Sequence, residues 1–467
     1  MSSPHHDLIL SVSGCRGIVG ETLTPETIVH FAATLADHLR AERGTARPTL
    51  VVGRDGRRGG DVLKRLAVNT LVACGCRVID VGVATTPTMG VMILHHEADG
   101  GLTITASHNP GEWNGMKALT AAGAAPLPEE AARLIRRFRT DQPSWAGVSD
   151  FGERIVDDTA AHVHVARVLE AIEPLCPIES IKARHFRVVL DSLNASGSPG
   201  GRLLLDALGC ELIHLNADDS GIFPHGAEPT RENLAGLCSA ITAHKADIGF
   251  AQDPDADRLA MIDEQGRYIG EEYTLAIGID AILSGRPGAN DCVAANLSTS
   301  RMIDDVAARH GARVLRTPVG EANLVAAMLS AGCIAGGEGN GGVIWPRVVS
   351  VRDSLAAMAL ALVLMTRRDA SLSRLVADIP AYAIEKRKMS IREGLAARAI
   401  DAVRQTWRDA DHDEQDGLRV DFTTDRGKAW LHVRSSNTEP ILRLIAEAPT
   451  AAAANEILDR AAAAIGD

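Results

Sequence analysis

The sequence predicts an α/β protein: three tandem α/β domains with mixed, largely parallel sheets, followed by a C-terminal α+β domain. Three observations support this. A unit made of a β-branched apolar strand ending at a polar loop, a helix-like segment, and a glycine leading into a second strand occurs three times. Strands alternating with helices in this way build α/β domains. At 467 residues and 46% hydrophobic, the chain exceeds what one core of usual size holds, so several domains are expected. Past residue 370 the alternation gives way to consecutive strand-like segments flanked by helices.

The first unit runs from Leu50-Val-Val-Gly-Arg-Asp55 to Gly75-Cys-Arg-Val-Ile-Asp80, within a domain spanning 1–150. The second, from Arg187-Val-Val-Leu-Asp191 to Gly209-Cys-Glu-Leu-Ile213, lies in a domain spanning 151–255. The third, from Cys292-Val-Ala-Ala-Asn296 to Gly311-Ala-Arg-Val-Leu315, lies in a domain spanning 256–370. Each glycine fits the position just past a helix, where a left-handed backbone closes the last turn. In 371–467, a helix over Arg392–Thr406 leads to the acidic run Asp409–Asp416, read as a solvated loop. Strands at Leu418–Thr423, Lys428–Val433 and Leu442–Ala446 follow, then an Ala-rich helix.

Composition narrows the function. Aromatics are only 3%, so the cores rest on Ala, Val, Leu and Ile. The longest apolar stretch, Leu355–Met365, ends at Thr366-Arg-Arg368, well short of the roughly 18 residues that span a bilayer, and reads as a buried helix. The N-terminus has no basic segment followed by an apolar one, so a cytoplasmic protein is expected. Eight scattered cysteines, with only Cys74-Gly-Cys76 close together, fit reduced thiols and not a zinc site. A net charge of −12 argues against nucleic acid or anionic membrane as partner. It also repels phosphate, so any phosphate needs locally concentrated Arg, Lys and backbone N–H groups.

Four segments carry candidate chemistry. In Thr105-Ala-Ser107-His108-Asn-Pro110, after the strand-like Gly101–Thr105, a serine sits at a strand-to-loop turn and can carry a covalent group. All four polar and proline residues also suit an ordinary turn. The Gly-x-Ser-x-Gly elbow of many hydrolases is absent, and a serine hydroxyl needs activation. Asp253-Pro-Asp255-Ala-Asp257-Arg258 follows a strand-like run and places three carboxylates at alternate positions. They converge only if something neutralises them, and a hard divalent cation does so. An EF-hand also fits at loop positions 1, 3, 5 and 12 (Glu264), but Arg258 replaces its glycine and the flanks read as strands. A haloacid-dehalogenase phosphatase with Asp253 as nucleophile wants Thr or Val where Asp257 stands. The third segment, Gly337-Glu338-Gly-Asn340-Gly-Gly342, implies tight backbone. The fourth, Arg434-Ser-Ser436-Asn437-Thr438-Glu-Pro440, suits a phosphate: a guanidinium for bidentate pairing, with hydroxyls and loop amides for the other oxygens.

In this order and at these separations the four segments resemble the α-D-phosphohexomutases over nearly the whole chain. The resemblance implies four domains around a central cleft, and interconversion of hexose 6-phosphate and hexose 1-phosphate through a phosphoserine and a 1,6-bisphosphate, which also serves as activator. Ser107 is then the phosphoryl carrier and Lys117 the general base. His108 and Arg16, the latter in Ser13-Gly-Cys-Arg16-Gly17, complete the implied catalytic set. Mg²⁺ is held by Asp253, Asp255, Asp257 and an oxygen on Ser107, with Arg258 adding a fixed charge. Glu338 and Asn340 hold sugar hydroxyls, while Arg434, Ser436, Asn437 and Thr438 hold the phosphate that is not transferred.

The chain departs from the family pattern at Pro254 (usually Gly), Asn340 (often Ser), Gly342 (often His) and Ser435 (often Pro). Together with Thr317-Pro-Val-Gly-Glu-Ala-Asn323, the N-terminal and sugar-loop motifs look most like archaeal-type phosphoglucosamine mutases. Phosphoglucomutase or phosphomannomutase activity is the alternative, and the expected partner is a small sugar phosphate. A non-catalytic sugar-phosphate-binding paralogue is opposed by the intact Ser107, Lys117 and three aspartates.

Overall fold

The computed structural model describes residues 8–12, 14–286, 290–391, 395–435 and 441–466. Among these, the strands form four separate sheets. The first runs, edge to edge, through Ile9–Ser11, Gly14–Ile18, Trp113–Thr120, Gly100–Ile104, Thr49–Arg54, Arg77–Val83 and Glu153–Val156. Its last four strands are parallel to one another, and the other pairings are antiparallel. The second orders Leu259–Asp263, Ile248–Gln252, Arg187–Asp191 and Glu211–Leu215, with only the first pair antiparallel. The third orders Arg313–Thr317, Cys292–Asn296, Ala335–Glu338, Gly342–Trp345 and Val349–Arg352. Its parallel half contains the repeated unit, while the strands after Glu338 return antiparallel.

All three repeated units fold as read, with parallel strands joined by a helix. The helices Gly60–Ala73, Gly197–Ala207 and Met302–Arg309 are followed by Gly75, Gly209 and Gly311 at φ of 85°, 70° and 69°. A side chain is strained in that left-handed region, so glycine is what lets each helix turn back toward the sheet. The helix Ser354–Arg368 is buried from Ser354 to Met365 and lies in a core shared by the second and third sheets. Among the described residues no helix is long and apolar enough to cross a membrane.

The fourth sheet is wholly antiparallel: Ala383–Ser390, Ile441–Ala448, Gly427–Ser435, Leu418–Thr424 and Asp411–Asp413. Helices Ala396–Thr406 and Ala451–Gly466 cover one face, around Trp407 and Val403. The acidic run is therefore not all loop, since Asp411–Asp413 adds an edge strand against Arg419–Asp421. A short, charged edge strand satisfies backbone groups while discouraging pairing with another chain.

Ser107, Asp253 and Ser298 all lie just past the carboxyl end of a strand, and Glu338 ends one. In open α/β sheets that is where ligands bind.

Candidate active site

Ser107 follows the strand Gly100–Ile104 in a turn where its own φ is +49° and its side chain is buried. Three contacts hold this backbone. The Ser107 N–H donates to Thr105 Oγ1 (2.8 Å), the Arg57 guanidinium donates to the Ser107 carbonyl, and Arg57 also donates to the Trp113 carbonyl (2.6 Å). Arg57 is in turn paired with buried Asp55 (2.8 Å), which accepts from Thr105 Oγ1 (2.7 Å). Arg16, on the strand Gly14–Ile18, donates to Asn109 Oδ1 (3.2 Å) and so braces the far side of the same turn. The Ser107 hydroxyl is left 3.4 Å from Asp253 Oδ2 and 3.3 Å from His108 Nδ1. Arg258 donates to that same Nδ1 (3.0 Å). A guanidinium only donates, so Nδ1 carries the lone pair and His108 is neutral. Burial, and then the charge of Arg258, push the His108 pKa down to about 4.

Asp253, Asp255 and Asp257 lie between the antiparallel strands Ile248–Gln252 and Leu259–Asp263, all fully buried. One ligand atom from each falls within 4.8 Å of the others. Asp255 Oδ1 and Asp257 Oδ1 have no hydrogen-bond partner among the described residues. Buried, unpartnered carboxylate oxygens aimed at one another are costly alone, and a hard cation with oxygen ligands is the group they fit. Burial first, then the charges of Asp257 and Asp255, raise the Asp253 pKa well above the usual carboxyl range. Asp257 goes the other way: burial raises its pKa, but Arg352, Lys117 and Arg258 outweigh it and hold the group ionised. Lys117 Nζ is 3.7 Å from Asp257.

The first and second domains meet around this loop. Thr86 donates to Asp255 twice, from its hydroxyl to Oδ2 (2.6 Å) and from its N–H to the backbone carbonyl (2.9 Å). Pro254 needs no N–H here, and its carbonyl accepts from Ser196 Oγ (2.7 Å). The left-handed residue of the loop is Ala256, so proline replaces glycine at 254 without backbone conflict.

Arg352 connects the acidic loop to the glycine-dense one. Buried at the end of the strand Val349–Arg352, it pairs with Asp257 (2.6 Å), Glu338 (2.6 Å) and Glu321 (2.8 Å). Burial alone lowers its pKa, but the carboxylates of Asp257, Glu321 and Glu338 outweigh this and hold it charged. Glu338 accepts from Asn296 Nδ2 (2.9 Å) through its other oxygen. A Cβ at Gly339 would lie 2.0 Å from Glu272 Oε1, so a larger residue there would have to displace that carboxylate, which accepts from the Ser300 N–H. Replacing Arg352 with alanine takes the shared cation from three buried carboxylates, leaving Lys117 and Arg258 beside Asp257 and only the Asn296 amide on Glu338. Unfolding by denaturant in chelator is expected to show a loss of about 3–5 kcal/mol. A loss below about 1 kcal/mol would mean that water already screens the cluster.

Beyond Glu338 opens a pocket of about 370 Å³ between the third and fourth sheets, lined by Glu338, Asn340, Lys386, Lys388, Arg434 and Arg443 among others. Arg434 Nε lies 2.8 Å from Asp416 Oδ2. Ser436, Asn437 and Thr438 lie outside the described residues.

The structure thus gathers Arg16, Ser107, His108, Lys117, the three aspartates and Arg258 into one contact network, and Glu338, Asn340 and Arg434 around one pocket. Glu338 belongs to both through Arg352. Arg57, Thr86 and Arg352 carry no local sequence signal, since each acts through a partner remote in sequence and none sits in a recognisable local pattern.

Four sequence models of phosphoglucomutase/phosphomannomutase match in chain order: alpha/beta/alpha domain I over residues 8–144, domain II over 166–266, domain III over 271–382, and the C-terminal domain over 385–464. A phosphoglucomutase/phosphomannomutase of Thermococcus kodakarensis is 37% identical over 96% of each chain. A probable phosphoglucosamine mutase of Methanopyrus kandleri is 36% identical over 96% of this chain and 95% of its own. The crystal structure of a phosphoglucomutase/phosphomannomutase family protein from Burkholderia thailandensis superposes with a TM-score of 0.82 at 27% identity, covering 98% of this chain and 97% of that one. Fold and matches together make the protein a phosphohexomutase, an isomerase. The chain belongs to the phosphoglucomutase/phosphomannomutase family.

Proposed function

We propose that this enzyme interconverts hexose 6-phosphate and hexose 1-phosphate through phospho-Ser107 and a 1,6-bisphosphate intermediate, with glucosamine phosphate among its substrates. The observation that carries the mechanism is the Ser107 hydroxyl held 3.4 Å from Asp253, at the edge of a buried carboxylate triad with unpartnered oxygens. In the first transfer the bond between Ser107 Oγ and phosphorus breaks as the sugar hydroxyl oxygen bonds to phosphorus. The hydroxyl proton passes to Lys117 as general base, and the departing Ser107 oxygen ends as a free hydroxyl by taking a proton from water. The bisphosphate then reorients, and Ser107 takes a phosphoryl group back from the other end. Arg57 and Thr105 keep the serine turn fixed through both transfers, and Arg16 and Arg258 place positive charge beside it. Mg²⁺, held by Asp253, Asp255, Asp257 and a phosphoserine oxygen, supplies Lewis-acid stabilisation of the transferring phosphoryl group. The same bisphosphate, added in trace, restores enzyme that has lost its phosphate.

The substrate assignment rests on the pocket. Each Glu338 oxygen already accepts a hydrogen bond, from Asn296 or Arg352, whereas Asn340 Oδ1 has no partner among the described residues. That acceptor suits a C2 ammonium, and the Asn340 amide N–H₂ suits a neighbouring hydroxyl. Relatives named for glucosamine and for glucose or mannose phosphates stand at near-equal identity, consistent with a site that turns over both. Specificity constants for glucosamine 6-phosphate, glucose 1-phosphate and mannose 1-phosphate, measured side by side, test this. The glucosamine value is expected within about tenfold of the best substrate, and a deficit of about a hundredfold or more rejects the assignment.

A further inference from the structure

We infer that the phosphate that is not transferred is held by a line of cations laid across three strands of the C-terminal sheet, with Lys388 and Arg443 standing beside Arg434. This rests on the mutase reading above and extends it to a strand that carries no recognised phosphate motif. In the antiparallel register Lys388 lies opposite Arg443, and Arg443 opposite Arg434. Residues opposite one another leave the same face of the sheet, and this face lines the pocket that contains Glu338 and Asn340. Arg387, one residue along, confirms the alternation by pairing across the other face with Asp459 of the last helix (2.8 Å).

Like charges directly opposite one another destabilise a sheet, and here three adjoin. The described residues offer one carboxylate in return, Asp416 at Arg434, while Lys388 and Arg443 have no acidic partner among them. Three cations and one carboxylate leave two positive charges, the complement of a phosphate monoester dianion. The arginines supply planar forks for bidentate pairing and Lys388 a point charge. In a chain of net charge −12, this is the local concentration of positive charge that binding a sugar phosphate requires.

The test is steady-state kinetics on glucose 1-phosphate with glucose 1,6-bisphosphate as activator, and inorganic phosphate as competitor. Lys388→Ala is expected to raise KM about tenfold and to weaken inhibition by inorganic phosphate in parallel, the size of one charge-assisted hydrogen bond, with kcat far less affected. Lys388→Arg should restore KM to within about twofold, which a purely structural lysine would not require. Arg426→Ala, which removes a cation of the same domain that lies outside the pocket and pairs with Glu456, should leave KM where it was. If Lys388→Ala keeps the wild-type KM while Arg434→Ala raises it, the line is wrong and Arg434 binds without it. If neither substitution moves KM, the C-terminal phosphate site itself fails along with the inference.

Discussion

Ser107→Ala is expected to remove both a phosphate adduct from the purified protein and measurable mutase turnover. The donor state has to survive between turnovers, so a fraction of wild-type enzyme should carry one phosphoryl group, visible in the intact mass. Deleting the carrier oxygen removes the covalent route entirely, and losses for such nucleophiles reach about six orders of magnitude. The fold is spared. The turn is fixed by the Ser107 backbone, through its N–H on Thr105 and its carbonyl on Arg57, and neither contact involves the hydroxyl. Thermal unfolding of the variant should therefore stay close to wild type. A variant that kept near wild-type turnover with added bisphosphate would mean that phosphate does not pass through this serine.

Much of this site could be read from the sequence because its chemistry is concentrated in short loops after strands. The serine turn, the alternating aspartates and the glycine-dense loop each signal locally, and the three repeated units identify the strands that present them. What could not be read is what connects the loops. Arg352 joins Asp257 to Glu338 from a strand end where a lone arginine has no pattern to betray it. His164, fully buried in the helix Ala160–Ile172, bridges Thr88 of the helix Thr86–His95 and Asp353, which caps the helix Ser354–Arg368 (2.9 and 3.0 Å), a contact that exists only once these elements have packed. Lys388 is hidden for another reason. Its strand carries four consecutive charged residues, Glu385 to Lys388, so no period-two pattern marks which face is which, and only the register shows that its face meets Arg443 and Arg434.

Asp255→Asn is expected to cut turnover by about three orders of magnitude while leaving the metal-free fold at least as stable. Two effects separate here because the residue serves chemistry and fold in opposite senses. For chemistry, Asp255 Oδ1 is one of the unpartnered oxygens offered to the cation, and a neutral amide holds Mg²⁺ poorly, so charge stabilisation at the transferring phosphoryl group is lost. For folding, three buried carboxylates within 4.8 Å repel one another, and the substitution removes one of those charges without changing shape. The Asn oxygen can still accept from the Thr86 hydroxyl, so the contact between domains survives. In chelator, the variant's unfolding temperature should equal or exceed that of wild type. Added Mg²⁺ should raise the unfolding temperature of wild type by mass action and that of the variant little, with the loss of affinity read directly by titration calorimetry. Full wild-type activity in chelator, or an Asn variant whose Mg²⁺ affinity is unchanged, would show that the acidic loop is not where the cation acts.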